Sequence, residues 1–183
     1  MFGEGRINNW HPDYAYPVAD IAAPGESAAP TDIVGADDRK WFDPTYGWQM
    51  LRLRRNSSGG YIDNSLVTEK SVSSSVDVTV ASGNDIPMNK IGGVTRPLTM
   101  VANAPDTSGV PTLYYFWAVV RGRTTIVSGA AITQGAEIAT LSNAGKVDDR
   151  SFSGGNLFGR WLAADPGGAD TAGICEVNMG HIT

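Results

Sequence analysis

From Leu113 to Val120 the chain runs LYYFWAVV, an unbroken series of apolar, aromatic and β-branched positions. The run is too short for a membrane span and too aromatic for a typical helix, so it predicts a strand buried on both faces. Arg121-Gly122-Arg123 breaks the run, and Thr124 to Val127 resumes a β-type pattern. Ser128-Gly129 then reads as a turn, and Gly135 stands just before Glu137 to Leu141. Taken together, Pro111 to Leu141 predicts an antiparallel meander with glycine at its corners.

Similar patterning flanks this centre. Trp48 to Arg54 alternates, with Leu51 and Leu53 on one face and Arg52 and Arg54 on a wet one. Tyr61 to Val67 reads as a short strand or bend, and Val72 to Val80 alternates with Val76, Val78 and Val80 inward. Residues 86 to 111 look looser, with one candidate strand at Leu98 to Val101. A turn at Ser142 to Gly145 leads to an edge at Lys146-Val147, and a second turn at Ser153 to Asn156 precedes a strand over Leu157 to Ala164. Gly159 inside that strand suggests a bulge or close backbone approach. Ile174 to Met179 places Cys175, Val177 and Met179 on one face. Short strands, frequent turns and no long helix predict an all-β fold, a small antiparallel barrel or sandwich spanning residues 46–183.

Residues 1–45 read differently. Five prolines recur through Ala, Gly and Asp with no sustained period, which predicts an extended N-terminal arm. A short helix near Asp37 to Trp41 is a weaker reading. Trp10, Tyr14, Tyr16, Trp41 and Phe42 are interleaved with the prolines, and solvated tails are normally poor in such rings. Either the rings pack on their own domain or the arm lies on a neighbouring subunit. On the second reading these five are partner-binding candidates. Arg52 and Arg54 join them, because arginine forms register-fixing pairs with carboxylates.

Composition narrows the function. The chain has 183 residues, 18% charged, with 22 Gly, 10 Pro and a net charge of −5. An acidic chain lacks the basic surface that grips phosphate, so nucleic-acid binding is not expected. Nor is a membrane partner, since no stretch approaches the length of a transmembrane helix. One cysteine rules out an internal disulfide, and the N-terminus lacks a signal-peptide pattern, which together suggest synthesis in a cytoplasm. His11 and His181 have no metal-ligand spacing, Cys175 sits mid-strand with no evident base, and the pairs Asp37-Asp38 and Asp148-Asp149 would point to opposite strand faces. No catalytic set and no cofactor is therefore expected.

Three segments carry a family resemblance: Thr125 to Ile138 (TIVSGAAITQGAEI), Asn143 to Val147 (NAGKV) and Asn156 to Leu162 (NLFGRWL), followed by a last strand. In this order they resemble the small β-barrel capsid decoration, or cement, proteins of tailed bacteriophages. There a segment v–x–x–G–x–x–I–x–x–G–x–x–v leads to a G–x–v turn and an iG–x–a–l strand. Tyr46 to Val67 is similar to the first strand of phage head proteins, with Ser65 where glycine is usual. The resemblance covers about residues 113–183, and the arm has no counterpart in it. It implies a non-enzymatic virion protein on the capsid exterior, binding the major capsid protein, commonly as a homotrimer. The competing reading is a carbohydrate- or receptor-binding β-module such as part of a tail fibre, suggested by the five tryptophans and six tyrosines.

Overall fold

A computed structural model describes residues 11–17, 38–72, 74, 76–83, 86–140, 145–149, 158–164 and 168–179. The turns expected at residues 142–144 and 153–156, together with Trp10, Asp37 and His181, lie outside the described residues. The fold is all-β. Its strands are β1 (Tyr14–Ala15), β2 (Arg39–Asp43), β3 (Gly47–Asn56), β4 (Ile62–Asp63), β5 (Val67–Lys70), β6 (Asp77–Val80) and β7 (Ile91–Thr95). They continue as β8 (Met100–Val101), β9 (Gly109–Val110), β10 (Tyr115–Val127), β11 (Glu137–Thr140), β12 (Val147–Asp149), β13 (Gly159–Trp161) and β14 (Ala172–Asn178). Among the described residues there is no α-helix, only a 3-10 turn at Met88–Lys90.

β10 organises the molecule. Its first half pairs antiparallel with β3, Tyr115 opposite Arg55 through Val119 opposite Leu51, and on its other side with β7. Its second half pairs with β14, Arg121 opposite Asn178 through Val127 opposite Ala172. The first half closes a circuit: β10, β3, β6, β5, β7 and back to β10, with β3–β6 as the parallel joint. The second half runs through β14, β13, β11 and β12, and a bridge from Val147 to Ser128 returns the chain to the end of β10. The connections therefore differ from the expected meander: β10 and β11 are consecutive but do not pair, since β13 and β14 lie between them.

The expected break at Arg121-Gly122-Arg123 is a bulge inside one continuous strand. Val119 faces Leu51 while Arg121 faces Met50, so β10 carries one extra residue there. The extra residue resets the alternation. Before it, Tyr115, Trp117 and Val119 enter the larger core, while Phe116 and Ala118 enter a smaller one with Ile62, Val101 and Val110. After it, Thr124 and Ile126 are buried and Arg121 and Arg123 are exposed. Gly122 has φ +110°, and a Cβ there would lie 2.6 Å from the Trp48 carbonyl oxygen. Trp117 and Trp161, expected in the core, are fully buried. Trp161 packs closely on β14, where a Cβ at Gly173 would sit 2.1 Å from its ring.

The N-terminal segment is tied to this body. Tyr16 and Tyr115 exchange backbone hydrogen bonds of 3.0 and 2.7 Å, and β1 pairs parallel with β8. Arg96, which no local pattern marks, is the buried tie. Its Nε donates to Asp13 at 3.0 Å, a terminal nitrogen donates to Asp43 at 2.8 Å, and the other reaches Gln49. One guanidinium thus joins the β1 segment, β2 and β3. The helix considered at residues 37–41 is replaced by β2, so the sheet continues across residue 45 through the β2–β3 hairpin.

Two predictions test this packing. Gly173→Ala should lower the unfolding free energy by about 1–3 kcal/mol through overpacking against Trp161. Gly59→Ala, with nothing within 4 Å of its Cβ, should change it by no more than about 0.5 kcal/mol in the same urea titration. The second concerns the clamp. Burial pushes the Asp43 carboxyl pKa up, but the Tyr46 and Thr45 amides and Arg96 outweigh burial and hold it below the usual value. A carboxyl whose folded pKa is depressed contributes stability above its unfolded pKa and loses it as pH falls through the folded value. Urea midpoints should therefore fall below about pH 4. Arg96→Met should lower the neutral-pH stability by about 3 kcal/mol, because it removes the cation from the buried Asp43 and the half-buried Asp13, and should flatten that acid slope. Equal slopes for Arg96→Met and wild type would contradict the clamp.

Candidate partner-binding surfaces

The β2–β3 hairpin follows from its turn sequence, Asp43-Pro44-Thr45-Tyr46-Gly47. Asp43 Oδ1 accepts from the amides of Thr45 and Tyr46 at 2.7 and 2.9 Å, and Gly47 supplies the left-handed residue at φ +80°. This fixes the register, Phe42 opposite Trp48 and Lys40 opposite Met50. Phe42 and Trp48 are 53% and 60% exposed, with ring centroids 5.1 Å apart at 72°. Lys40 Nζ sits 4.4 Å from the Trp48 ring centre. The next cross-strand row runs Lys40, Met50, Arg121. Two exposed rings and two exposed cations thus share one side of an edge hairpin.

At the other end of β3 a second apolar surface is built around Asn56. Its side-chain amide donates to the carbonyls of Gly60 and Val110 at 2.8 Å each, and its main-chain carbonyl accepts from the Leu113 amide at 2.7 Å. Tyr61 and Leu113 are held here, 50% and 52% exposed. Leu113 does not belong to the central strand as its apolar neighbours suggested. It lies before β10 with φ +65°, a conformation costly for a residue with a Cβ. Asp63, outward on β4, and Asp106 are exposed beside this end.

Among the described residues, the others singled out from the sequence do not form one site. Tyr14 and Tyr16 are half-buried on their own domain, with His11 4.8 Å from the Tyr14 ring. Trp41 packs against the larger core, and the Arg39 guanidinium lies between the rings of Trp41 and Trp117, 5.5 and 5.4 Å from their centres. Arg52 is half-buried and ion-paired to Asp38 at 2.6 Å. Arg54 is buried, not wet: its Nε donates to the Gly92 carbonyl at 2.7 Å. Burial, then the nearby Arg52 charge, push its pKa down to about 9 against an opposing pull from Asp38. Of the six candidates among the described residues, Phe42 alone is strongly exposed. Trp48, Met50, Tyr61 and Leu113 are contact candidates that the sequence pattern does not single out, whereas Arg121 beside its turn is one it offers for an acidic partner surface. Their signal was present in Trp48 and Tyr61, bulky rings directly beside Gly47 and Gly60.

Among the described residues no group of three or more His, Cys, Asp or Glu could hold a metal ion, and no helix is long and apolar enough to cross a membrane. Cys175 is buried, and burial pushes its thiol pKa up, away from a reactive thiolate. On the sheet face carried by β10, β14, β13 and β11, the register aligns Arg123, Glu176, Arg160 and Glu137 in one row of alternating charge. A shallow groove of about 320 Å³ borders this row at Phe158 and Asn178.

The chain matches no protein-family model and no curated protein sequence. Among solved structures it is similar to the N base of head fiber gp8.5 of bacteriophage phi29, at 13% sequence identity and a TM-score of 0.45, covering 73% of this chain and 97% of that one.

Proposed function

We propose that the chain is a structural component of a phage virion that binds the outside of an assembled capsid and cements it. The observation that carries this reading is the pair of exposed apolar ends on one rigid strand. Trp48 and Asn56 are separated by eight residues of β3, roughly 26 Å at about 3.3 Å per residue. A body with adhesive rings at both ends of a stiff sheet is suited to bridging neighbours. Neither end is a concave pocket of the kind that holds a small substrate.

The sequence resemblance supports the same role. Its period-three segment places Ile132 and Ile138 in the core and Gly135 at φ +88°. Ser65, at the position where glycine is usual, has φ +63°. In this reading the partners are the major capsid protein and further copies of the chain, expected as a trimer. Individually weak contacts then sum by avidity over the repeating shell. A carbohydrate-binding role fits the aromatic content but not the hairpin geometry. Sugar stacking wants a flat open platform, whereas Phe42 stands edge-on to Trp48 and Lys40 covers the indole.

The experiment adds purified protein to undecorated heads of the phage that encodes it. The expected result is saturable co-sedimentation and DNA release at a higher temperature. The Phe42→Ser/Trp48→Ser double variant should melt like the wild type and lose at least about tenfold in occupancy, equivalent to ~1.4 kcal/mol. Wild-type protein that stays in the supernatant, or glycan binding without head binding, would overturn the reading.

A further inference from the structure

The two exposed ends of β3 differ in charge as well as position. The hairpin end carries Lys40 and Arg121 around Phe42, Trp48 and Met50, with Arg123 one strand pair further on facing Glu176. The far end carries the exposed Asp63 two residues from Tyr61, with Asp106 further along beyond the β4–β9 pairing. Nearest their exposed apolar side chains the two ends hold opposite charges, Lys40 and Arg121 at one and Asp63 at the other. Like ends would repel on approach, and unlike ends attract.

We infer that the occupant of each end is the other end of a second copy: the Phe42–Trp48 hairpin of one subunit seats on the Tyr61–Leu113 surface of the next. This rests on the reading of the chain as a virion component built by repetition, and it specifies the contact. Because the two surfaces are different patches of one chain, the interface is heterologous. Repetition of such a contact closes into a ring when its rotation allows.

Leu113 is the most specific observation. An exposed leucine in the left-handed region is unfavourable twice over, in backbone conformation and in hydration, and glycine or asparagine would relieve both. Asn56 holds it there by accepting its amide. An apolar side chain kept outward at a strained position is accounted for by a contact that covers it.

The experiment is sedimentation velocity at high micromolar concentration. Wild type should sediment as a multiple of 19.3 kDa, and added salt should shift it toward monomer. Phe42→Ser/Trp48→Ser and Leu113→Gly should each sediment as monomers. Leu113→Gly should melt at or above the wild-type temperature, which separates loss of a contact from loss of fold. Mixed together, the two variants should form a one-to-one dimer and stop there, since each retains the end the other lacks. A monomeric wild type would overturn the inference, as would association of Leu113→Gly alone or a mixture that stays monomeric. A wild type that binds heads yet never self-associates would sink this contact and leave the capsid role standing. Self-association without head binding would do the reverse.

Discussion

The bulge between Val119 and Arg121 is the constraint on which the rest depends. A regular strand presents one alternation along its whole length, and β10 needs two. Its first half must send Trp117 and Val119 into the larger core while Phe116 and Ala118 meet a smaller one under β1, β4, β8 and β9. Its second half must bury Thr124 and Ile126 against β14. One inserted residue changes the phase, and Gly122 allows the Trp48 carbonyl to approach where a Cβ could not. The same strand thereby serves two closed ladders with a continuous backbone, and no flexible joint between them is required.

That continuity bears on function. β3 is paired to β10 from Met50 to Arg55 and to β2 from Gly47 to Leu51, so the hairpin at one end and the Asn56 surface at the other are held on one ladder. Exposed rings on a mobile tail would lose ordering entropy on binding, whereas rings on a paired hairpin have already lost it in folding. Arg96 extends the rigidity to the N-terminal segment by binding Asp13 and Asp43 together.

The sequence revealed what local patterning can encode. The all-β class, the buried aromatic strand, the alternation of Leu51 and Leu53 and the inward set Cys175, Val177 and Met179 follow from period-two burial. What it hid was long-range. β7 looks loose in the sequence because Gly92-Gly93 resembles a turn. Those glycines are needed because Cβ atoms there would meet Val78 at 2.6 Å and Ala118 at 2.7 Å, which depends on how the circuit closes. Arg54 was placed on the correct side of its strand, but no local signal said that this side is covered. Leu113 was absorbed into the apolar run, since composition does not report a positive φ. The rings of residues 11–17 and 38–43 could belong to a neighbour or to their own domain; Arg96, distant in sequence, ties the backbone of both segments to this body, while Phe42 still faces outward.

The central claim is that this rigid body is joined to its neighbours through the two ends of β3. Cryo-electron microscopy of decorated heads tests it most directly, because it sees each subunit with whatever touches it. The account predicts copies on the capsid exterior, with the Phe42–Trp48 hairpin of each against the Tyr61–Leu113 surface of the next. Isolated copies with both ends facing solvent, or a hairpin seated elsewhere, would contradict it.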